Sequence, residues 1–139
     1  MKTSRLLSVL SGLLVSGLLA TQSVSAADVQ VYSIEQLCIR STPNNNTETL
    51  ISAQATVTSS GWSKLQLMPF VYVRQPDDGV QDYGLVAQQP EGVTMPVMSS
   101  LSGDMTILRA GWMKGIRVHT DQNALQLMFD SDEVCVTTE

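Results

Sequence analysis

Apolar and polar residues alternate in short segments along most of the chain. Between Ile51 and Val57 every second residue is apolar, and the same period recurs at residues 116–118 and 125–129. A period of two places successive side chains on opposite faces of a β-strand. Residues 33–40 are also compatible with a helical turn. Further apolar segments predict strands at residues 29–34, 65–74, 80–88, 93–98, 105–108 and 133–137.

Turn-forming residues separate these segments at short intervals. Four residue types are typical of turns for different reasons: Pro fixes the φ angle, Gly allows a left-handed backbone, and Asn and Asp hydrogen-bond to their own backbone. The turn segments are residues 42–46, 59–61, 76–79, 90–92, 102–104 and 121–123. Short strands separated by turn segments predict an all-β fold, namely a small antiparallel β-sandwich or barrel.

The first 26 residues differ from the rest of the chain. Lys2 and Arg5 precede an uncharged apolar run, and small residues follow up to Ala26. This order is typical of a secretory signal peptide; a transmembrane anchor is the alternative, but the run is short for one. We therefore expect a signal peptide at residues 1–26, a single β domain at residues 27–139, and export to the periplasm or the extracellular space.

The charge of the expected mature chain is acidic. Without the signal peptide, six basic residues stand against thirteen acidic ones, a net charge of about −7. Phosphate binding needs clustered Lys and Arg, so we expect no nucleic-acid partner. No later segment is apolar enough to span a membrane, and an envelope or extracellular protein is the expected kind of partner.

The two cysteines, Cys38 and Cys135, lie near the ends of the expected domain. In an oxidising compartment an even pair predicts a structural disulfide. A metal or redox pair is the alternative, but such sites use closely spaced cysteines or nearby histidines. The bridge would join the N-terminal and C-terminal segments and bring them side by side.

Catalytic motifs are sparse. His119 shares one face of its strand with Arg117, opposite Ile116 and Val118, so we expect a surface position. A hydrolase using His119 with Asp121 or Asp82 is the minor alternative to a protein without catalytic activity. The sequence predicts no cofactor and no metal.

Three aspartates lie close together in the segment 76–82. Asp77, Asp78 and Asp82 supply oxygen ligands of the kind that Ca²⁺ uses, but the spacing of a known calcium loop is absent. Asp78-Gly79 is a common hairpin turn. We therefore expect a turn rather than a calcium site.

The segment 65–74 is apolar on both faces. Leu65, Leu67, Val71 and Val73 would lie on one face, and Met68, Phe70 and Tyr72 on the other. Pro69 cannot donate a ladder hydrogen bond, which indicates an edge strand or a bulge. The second face is covered either by the segment 95–98 of the same domain or by a partner. The candidate interaction surface consists of Met68, Phe70, Tyr72, Asp77 and Asp78.

Residues 56–64 are similar to residues 106–114. Both segments contain a strand end, a small residue, Gly-Trp, one variable residue and Lys. Two explanations are open. Either the segments belong to a duplicated unit, with two sheet halves related by a pseudo-twofold axis, or the similarity at these strand junctions arises by chance.

Several short motifs resemble a group of short uncharacterised secreted bacterial proteins. They are Gly61-Trp62-Ser63, the segment 67–72, the segment 76–83, Val86-Ala87 and Pro90-Glu91-Gly92. In that group a G-W-S segment precedes a P-aromatic-x-Tyr strand, a P-x-D-G hairpin and a V-A-x-x-P-x-G turn. The resemblance implies a family without a known activity. The leading hypothesis is an exported binding module, and a structural or self-associating envelope protein is the alternative.

Overall fold

A computed structural model describes residues 27–41, 47–130 and 135–139. The predicted signal peptide and the turn at residues 42–46 lie outside the described residues. In the described part of the chain the backbone forms strands and no helix. The strands are β1 (Asp28–Gln30), β2 (Ser33–Ser41), β3 (Glu48–Val57), β4 (Ser63–Pro69), β5 (Val80–Gln88), β6 (Ser99–Leu108), β7 (Gly115–His119), β8 (Ala124–Met128) and β9 (Cys135–Thr137).

The strands form two sheets. Sheet B has the order β6-β3-β2-β9, and all its neighbours are antiparallel. Sheet A is centred on β5, which pairs with β4 along one edge. The other edge of β5 is shared, because β7 pairs with its first half and β1 with its last three residues. Strand β8 completes sheet A beside β7.

Alternate side chains of both sheets meet in a common core, as expected of a β-sandwich. Sheet A contributes Leu85, Ile116 and Val118, and sheet B contributes Ile51 and Leu37, all fully buried. The predicted all-β sandwich is therefore confirmed. Its strands are not all antiparallel, however, because β5 and β7 run parallel. The chain passes through sheet B as β6 between them, which supplies the crossover that parallel neighbours need.

Several segments differ from their predicted forms. The predicted turn at residues 102–104 is wrong, because these residues lie within β6, and the predicted strand at residues 29–34 is divided between β1 and β2. Residues 33–40 are part of β2, not a helical turn, and a bulge between Ile34 and Gln36 puts Ile34 and Leu37 on the same face. Strand β4 ends at Pro69 rather than at residue 74. Pro69 lies on an edge strand, as predicted, since among the described strands β4 pairs with β5 alone. Residues 93–98 form no strand.

The predicted disulfide is present. Cys38 of β2 and Cys135 of β9 lie directly opposite each other in the antiparallel register, with their Cα atoms 4.0 Å apart. The bridge links a central strand of sheet B to the C-terminal segment and closes a sequence separation of 97 residues.

The two Gly-Trp segments occupy corresponding places in the fold. One follows β3 and leads to β4, and the other follows β6 and leads to β7, so each carries the chain from sheet B to sheet A. Trp62 and Trp112 are both partly buried against the core. The backbones differ, because Gly61 has a positive φ of 85° and Gly111 does not.

Candidate functional site

The outward face of sheet A carries a group of polar side chains. In β5 the inward residues include Tyr83 and Leu85, so Asp82 points outward. In β7 the buried pair Ile116 and Val118 leaves Arg117 and His119 on that same outer face. The parallel register places Arg117 opposite Asp82 and His119 opposite Gly84. The predicted sharing of one face by Arg117 and His119 is confirmed.

Asp82 accepts hydrogen bonds from three side chains. His119 Nε2 lies 2.6 Å from its Oδ1, and an Arg117 guanidinium nitrogen lies 3.0 Å from the same oxygen. The Tyr72 hydroxyl donates to its Oδ2. The same hydroxyl accepts a 2.9 Å hydrogen bond from the backbone N–H of Asp82. We call Asp82, Tyr72, Arg117 and His119 the Asp82 cluster.

Hydrogen bonding in the cluster changes the acidity of two groups. Partial burial of Asp82 acts to raise its pKa, but the hydrogen bonds from Tyr72, His119 and Arg117 outweigh burial and lower that pKa below its ordinary value. Burial raises the pKa of Tyr72, and its hydrogen bond to Asp82 raises it further. The arrangement therefore favours an ionised carboxylate beside a neutral phenol.

Arg117 extends the cluster toward the strand edge and the 76–79 turn. It bonds Gln126 Oε1 at 2.9 Å and lies 3.5 Å from Asp78 Oδ2. Asp78 also accepts a 3.0 Å hydrogen bond from the backbone N–H of Val80. The predicted turn is thereby tied to the sheet through one guanidinium group.

An aromatic ring covers the histidine. Phe70 stacks on His119 with ring centroids 5.4 Å apart and an angle of 13° between the planes. Phe70 also lies across Gly84, where an added Cβ would be 3.7 Å from its ring. Gly84 has no side chain of its own on this face, so the ring of Phe70 fills the space beside it, a common arrangement for a glycine within a sheet.

The end of β4 and the segment that follows it present apolar side chains to solvent. Met68 and Phe70 are about half exposed, and Val71 and Val73 are fully exposed. We call these four residues the outer-face patch. The backbone N–H of Phe70 donates to Asp82 O at 2.9 Å, and Tyr72 is fixed by its bonds to Asp82. Polar anchors therefore hold an apolar segment against the sheet.

The predicted internal cover over this face is not formed. The backbone of Met95 bonds to Ser60, near the opposite end of β4, and Met95 and Met98 are themselves largely exposed. The structure places Met68 opposite Gly84, Phe70 on His119 and Tyr72 on Asp82. Val71 and Val73 do not face the core, because the strand ends before them.

The two turn aspartates of the candidate surface have different settings. Asp78 bonds the turn and contacts Arg117, as described above. The Asp77 side chain is 93% exposed and lies 4.0 Å from the equally exposed Arg74. Asp77, Asp78 and Asp82 do not converge, and no group of three acidic, histidine or cysteine side chains fit to hold a metal occurs among the described residues.

Of the two carboxylates proposed beside His119, the structure pairs the histidine with Asp82. Asp121 is elsewhere: its backbone bonds to Val31 and its carboxylate to Gln122. An Asp–His pair is two parts of a hydrolytic triad. Within the described part of the chain, no serine, threonine or cysteine side chain bonds to His119.

Sequence reasoning did not assemble the Asp82 cluster. Asp82 is 35 positions from Arg117, and the parallel pairing that joins them leaves no local pattern. Two signals in the sequence were available. Period-two alternation puts Asp82 on the outer face of its strand, and Tyr72 follows Phe70 by two residues.

The chain matches no family model, no curated protein and no solved structure. None of the described residues forms a helix with the length and hydropathy needed to cross a bilayer.

Proposed function

We propose that this chain is an exported, non-catalytic binding protein that contacts a partner protein through the outer-face patch. The observation that carries the proposal is the full exposure of Val71 and Val73 next to the half-exposed Met68 and Phe70. Contiguous exposed apolar side chains on a water-soluble surface are typical of interaction sites. Isolated exposed apolar residues would carry no such meaning.

The surroundings of the patch suit a protein partner. Phe70 and Met68 are the less exposed members of the patch, and the charged residues Arg74, Asp77 and Asp78 follow it closely along the chain. An apolar centre with a polar rim is the usual anatomy of a protein–protein interface. The Asp82 cluster fixes the segment before binding, which reduces the entropy lost on association.

The disulfide supports an oxidising location. A structural bridge between Cys38 and Cys135 is stable outside the cytoplasm and is compatible with export. The signal peptide, and with it a periplasmic or extracellular destination, is part of the proposal. So is membership of the group of secreted bacterial proteins that the short motifs resemble.

The experiment is affinity capture from an envelope extract with the purified, oxidised protein. A Val73→Asp variant places a charge in the patch without touching the core, because Val73 is fully exposed. Val93→Asp is the matched control, since Val93 is equally exposed in another loop. We expect a stoichiometric partner that Val93→Asp retains and Val73→Asp loses. Capture that is equal for both variants would contradict the assigned surface.

Self-association uses the same surface in the alternative hypothesis of a structural envelope protein. Sedimentation velocity across a hundredfold range of concentration distinguishes the two. A monomer at all concentrations supports a different protein as partner. Concentration-dependent dimers that Val73→Asp abolishes would support a second copy of this chain instead.

Hydrolysis is the second candidate function because His119 Nε2 lies 2.6 Å from Asp82. A general base oriented by a carboxylate is required in this chemistry. The test is a screen of ester and peptide substrates with the wild type and a His119→Ala variant. Turnover that disappears in the variant would support this function, and equal rates would discard it.

A further inference from the structure

A cleft opens between the two sheets at the end where β4 and β6 finish. Its volume is about 360 Å³, and its walls include Leu67 of β4, Gln81 and Tyr83 of β5, Ile107 of β6, and Trp112. Its lining residues are separate from Met68, Phe70, Val71 and Val73, which form the outer-face patch. The cleft is therefore a second feature of the fold, independent of the proposed protein interface.

Two buried polar side chains line this cleft with unused hydrogen-bonding groups. Tyr83 is 6% exposed, and its hydroxyl forms no hydrogen bond within the part of the chain that the structure describes. Every fully sealed polar atom in that part of the chain has a partner. The Tyr83 hydroxyl is therefore not fully sealed in the core, and Tyr83 is one of the residues that line the cleft.

Gln81 is the second such group. It is 8% exposed, and its Nε2 donates to the carbonyl oxygens of Phe70 and Asp82, both at 2.9 Å. These two acceptors fix the orientation of the amide. Its Oε1 has no partner among the described residues and remains an acceptor at the cleft. Since no fully buried polar atom among the described residues lacks a partner, both groups have access to solvent, and water or a ligand in the cleft can complete their hydrogen bonding.

The walls define the chemistry of a ligand. The cleft is lined by Leu, Pro, Ile, Met, Trp, Tyr, Thr, Gln and Ala side chains, without a charged residue among them. Such a site disfavours a charged ligand, because the charge would be desolvated without a counter-ion. Small-molecule sites usually have apolar and aromatic walls, a few polar groups and roughly 300–1,000 Å³ of space.

The volume restricts ligand size. A dry cavity of roughly 150 Å³ holds benzene, so about 360 Å³ accommodates two fused rings or one ring with a short substituent. Trp112 offers a flat surface for stacking. The unpaired hydroxyl of Tyr83 and the Oε1 of Gln81 together offer one donor and one acceptor to a hydroxyl group on the ligand.

We propose that the inter-sheet cleft is a binding site for a small, uncharged aromatic molecule that carries a hydroxyl group, which bonds to Tyr83 and Gln81. The aromatic ring lies among Leu67, Ile107 and Trp112. The walls supply most of the affinity, and the two polar groups supply the preference for a hydroxylated ring.

The test compares 1-naphthol with naphthalene on the purified, oxidised protein. Tyr83→Phe removes one oxygen atom and keeps the ring that fills the core. Ala110→Phe adds a ring at an exposed position in the wall of the cleft, and Ser102→Phe adds the same ring at an exposed position of β6 outside the cleft. Titration calorimetry measures affinity, and near-ultraviolet circular dichroism confirms that each variant is folded.

We expect saturable binding of 1-naphthol to the wild type and to Ser102→Phe. Loss of one hydrogen bond in Tyr83→Phe should weaken 1-naphthol about three- to tenfold and leave naphthalene within about twofold. Ala110→Phe should abolish binding of both probes. Absence of binding to the wild type, survival of binding in Ala110→Phe, or equal loss of both probes in Tyr83→Phe would overturn the proposal.

Discussion

Replacing Asp82 by asparagine removes one negative charge from the centre of the Asp82 cluster and keeps the size of the side chain. The carboxylate is 15% exposed and accepts hydrogen bonds from Tyr72, Arg117 and His119. Hydrogen bonds to charged groups contribute roughly 1.5–3 kcal/mol each. Asparagine retains one oxygen acceptor and avoids the cost of burying a charge, so part of the loss is offset.

We expect Asp82→Asn to lower the free energy of unfolding by about 2–3 kcal/mol at neutral pH. With a urea dependence of roughly 1–3 kcal/mol per molar, the midpoint of urea unfolding falls by about 0.7–3 M. The matched control is Asp77→Asn, because the Asp77 carboxylate is 93% exposed and its ion pair is 4.0 Å long. Such surface pairs contribute about 0–1 kcal/mol.

The pH dependence gives an independent check. The pKa of Asp82 is lowered in the folded state, so its contribution is fully present above the unfolded-state pKa of about 3.9 and is lost as the pH falls through the folded-state pKa. The difference in stability between wild type and Asp82→Asn should therefore shrink below about pH 4. A difference below about 0.5 kcal/mol at neutral pH, or one independent of pH, would refute the reasoning.

Three further predictions concern the space around a glycine, the disulfide bridge and the carboxylate of Glu35. Gly115→Ala should lower the free energy of unfolding by roughly 2 kcal/mol or more, measured by urea unfolding. The added Cβ would lie 2.6–2.7 Å from atoms of the neighbouring strand β8. Gly111→Ala is the control and should leave the stability unchanged, because a Cβ there would meet no atom within 4 Å. Cys38→Ser should lower the free energy of unfolding by about 2–4 kcal/mol, and a transition unchanged by the substitution would contradict a structural bridge. Hydrogen bonds from Ser33 and Thr56 outweigh partial burial and lower the pKa of Glu35. The wild type should therefore lose more stability on acidification than Glu35→Gln does. Parallel curves of unfolding free energy against pH for the two proteins would contradict this.

The alternation of apolar and polar residues along the chain carries most of the information about fold class. The strand at residues 51–57 was predictable because its buried and exposed side chains alternate without interruption. The predicted strand at residues 65–74 is wrong beyond Pro69, since the chain leaves the sheet there while the apolar residues continue. In β2 the bulge spaces Ile34 and Leu37 three residues apart on one face, which gives the pattern of a helical turn.

The candidate site was harder to predict because its members meet through long-range pairing. Period-two alternation correctly put Arg117 and His119 on one face. It could not select Asp82 over Asp121 as the partner of His119, since that choice depends on the parallel alignment of β5 with β7. The return of Tyr72 onto Asp82 depends on the backbone path after Pro69, for which the sequence has no periodic signal.

The disulfide has a consequence for assembly as well as for stability. Strand β9 pairs with only three residues of β2, so without the bridge this short strand could separate and leave the backbone groups of β2 unpaired. An uncovered strand edge is a template for pairing with another chain. The bond between Cys38 and Cys135 thus holds β9 on the edge of β2. We expect reduction of this bond to promote strand pairing between molecules before the rest of the sandwich unfolds.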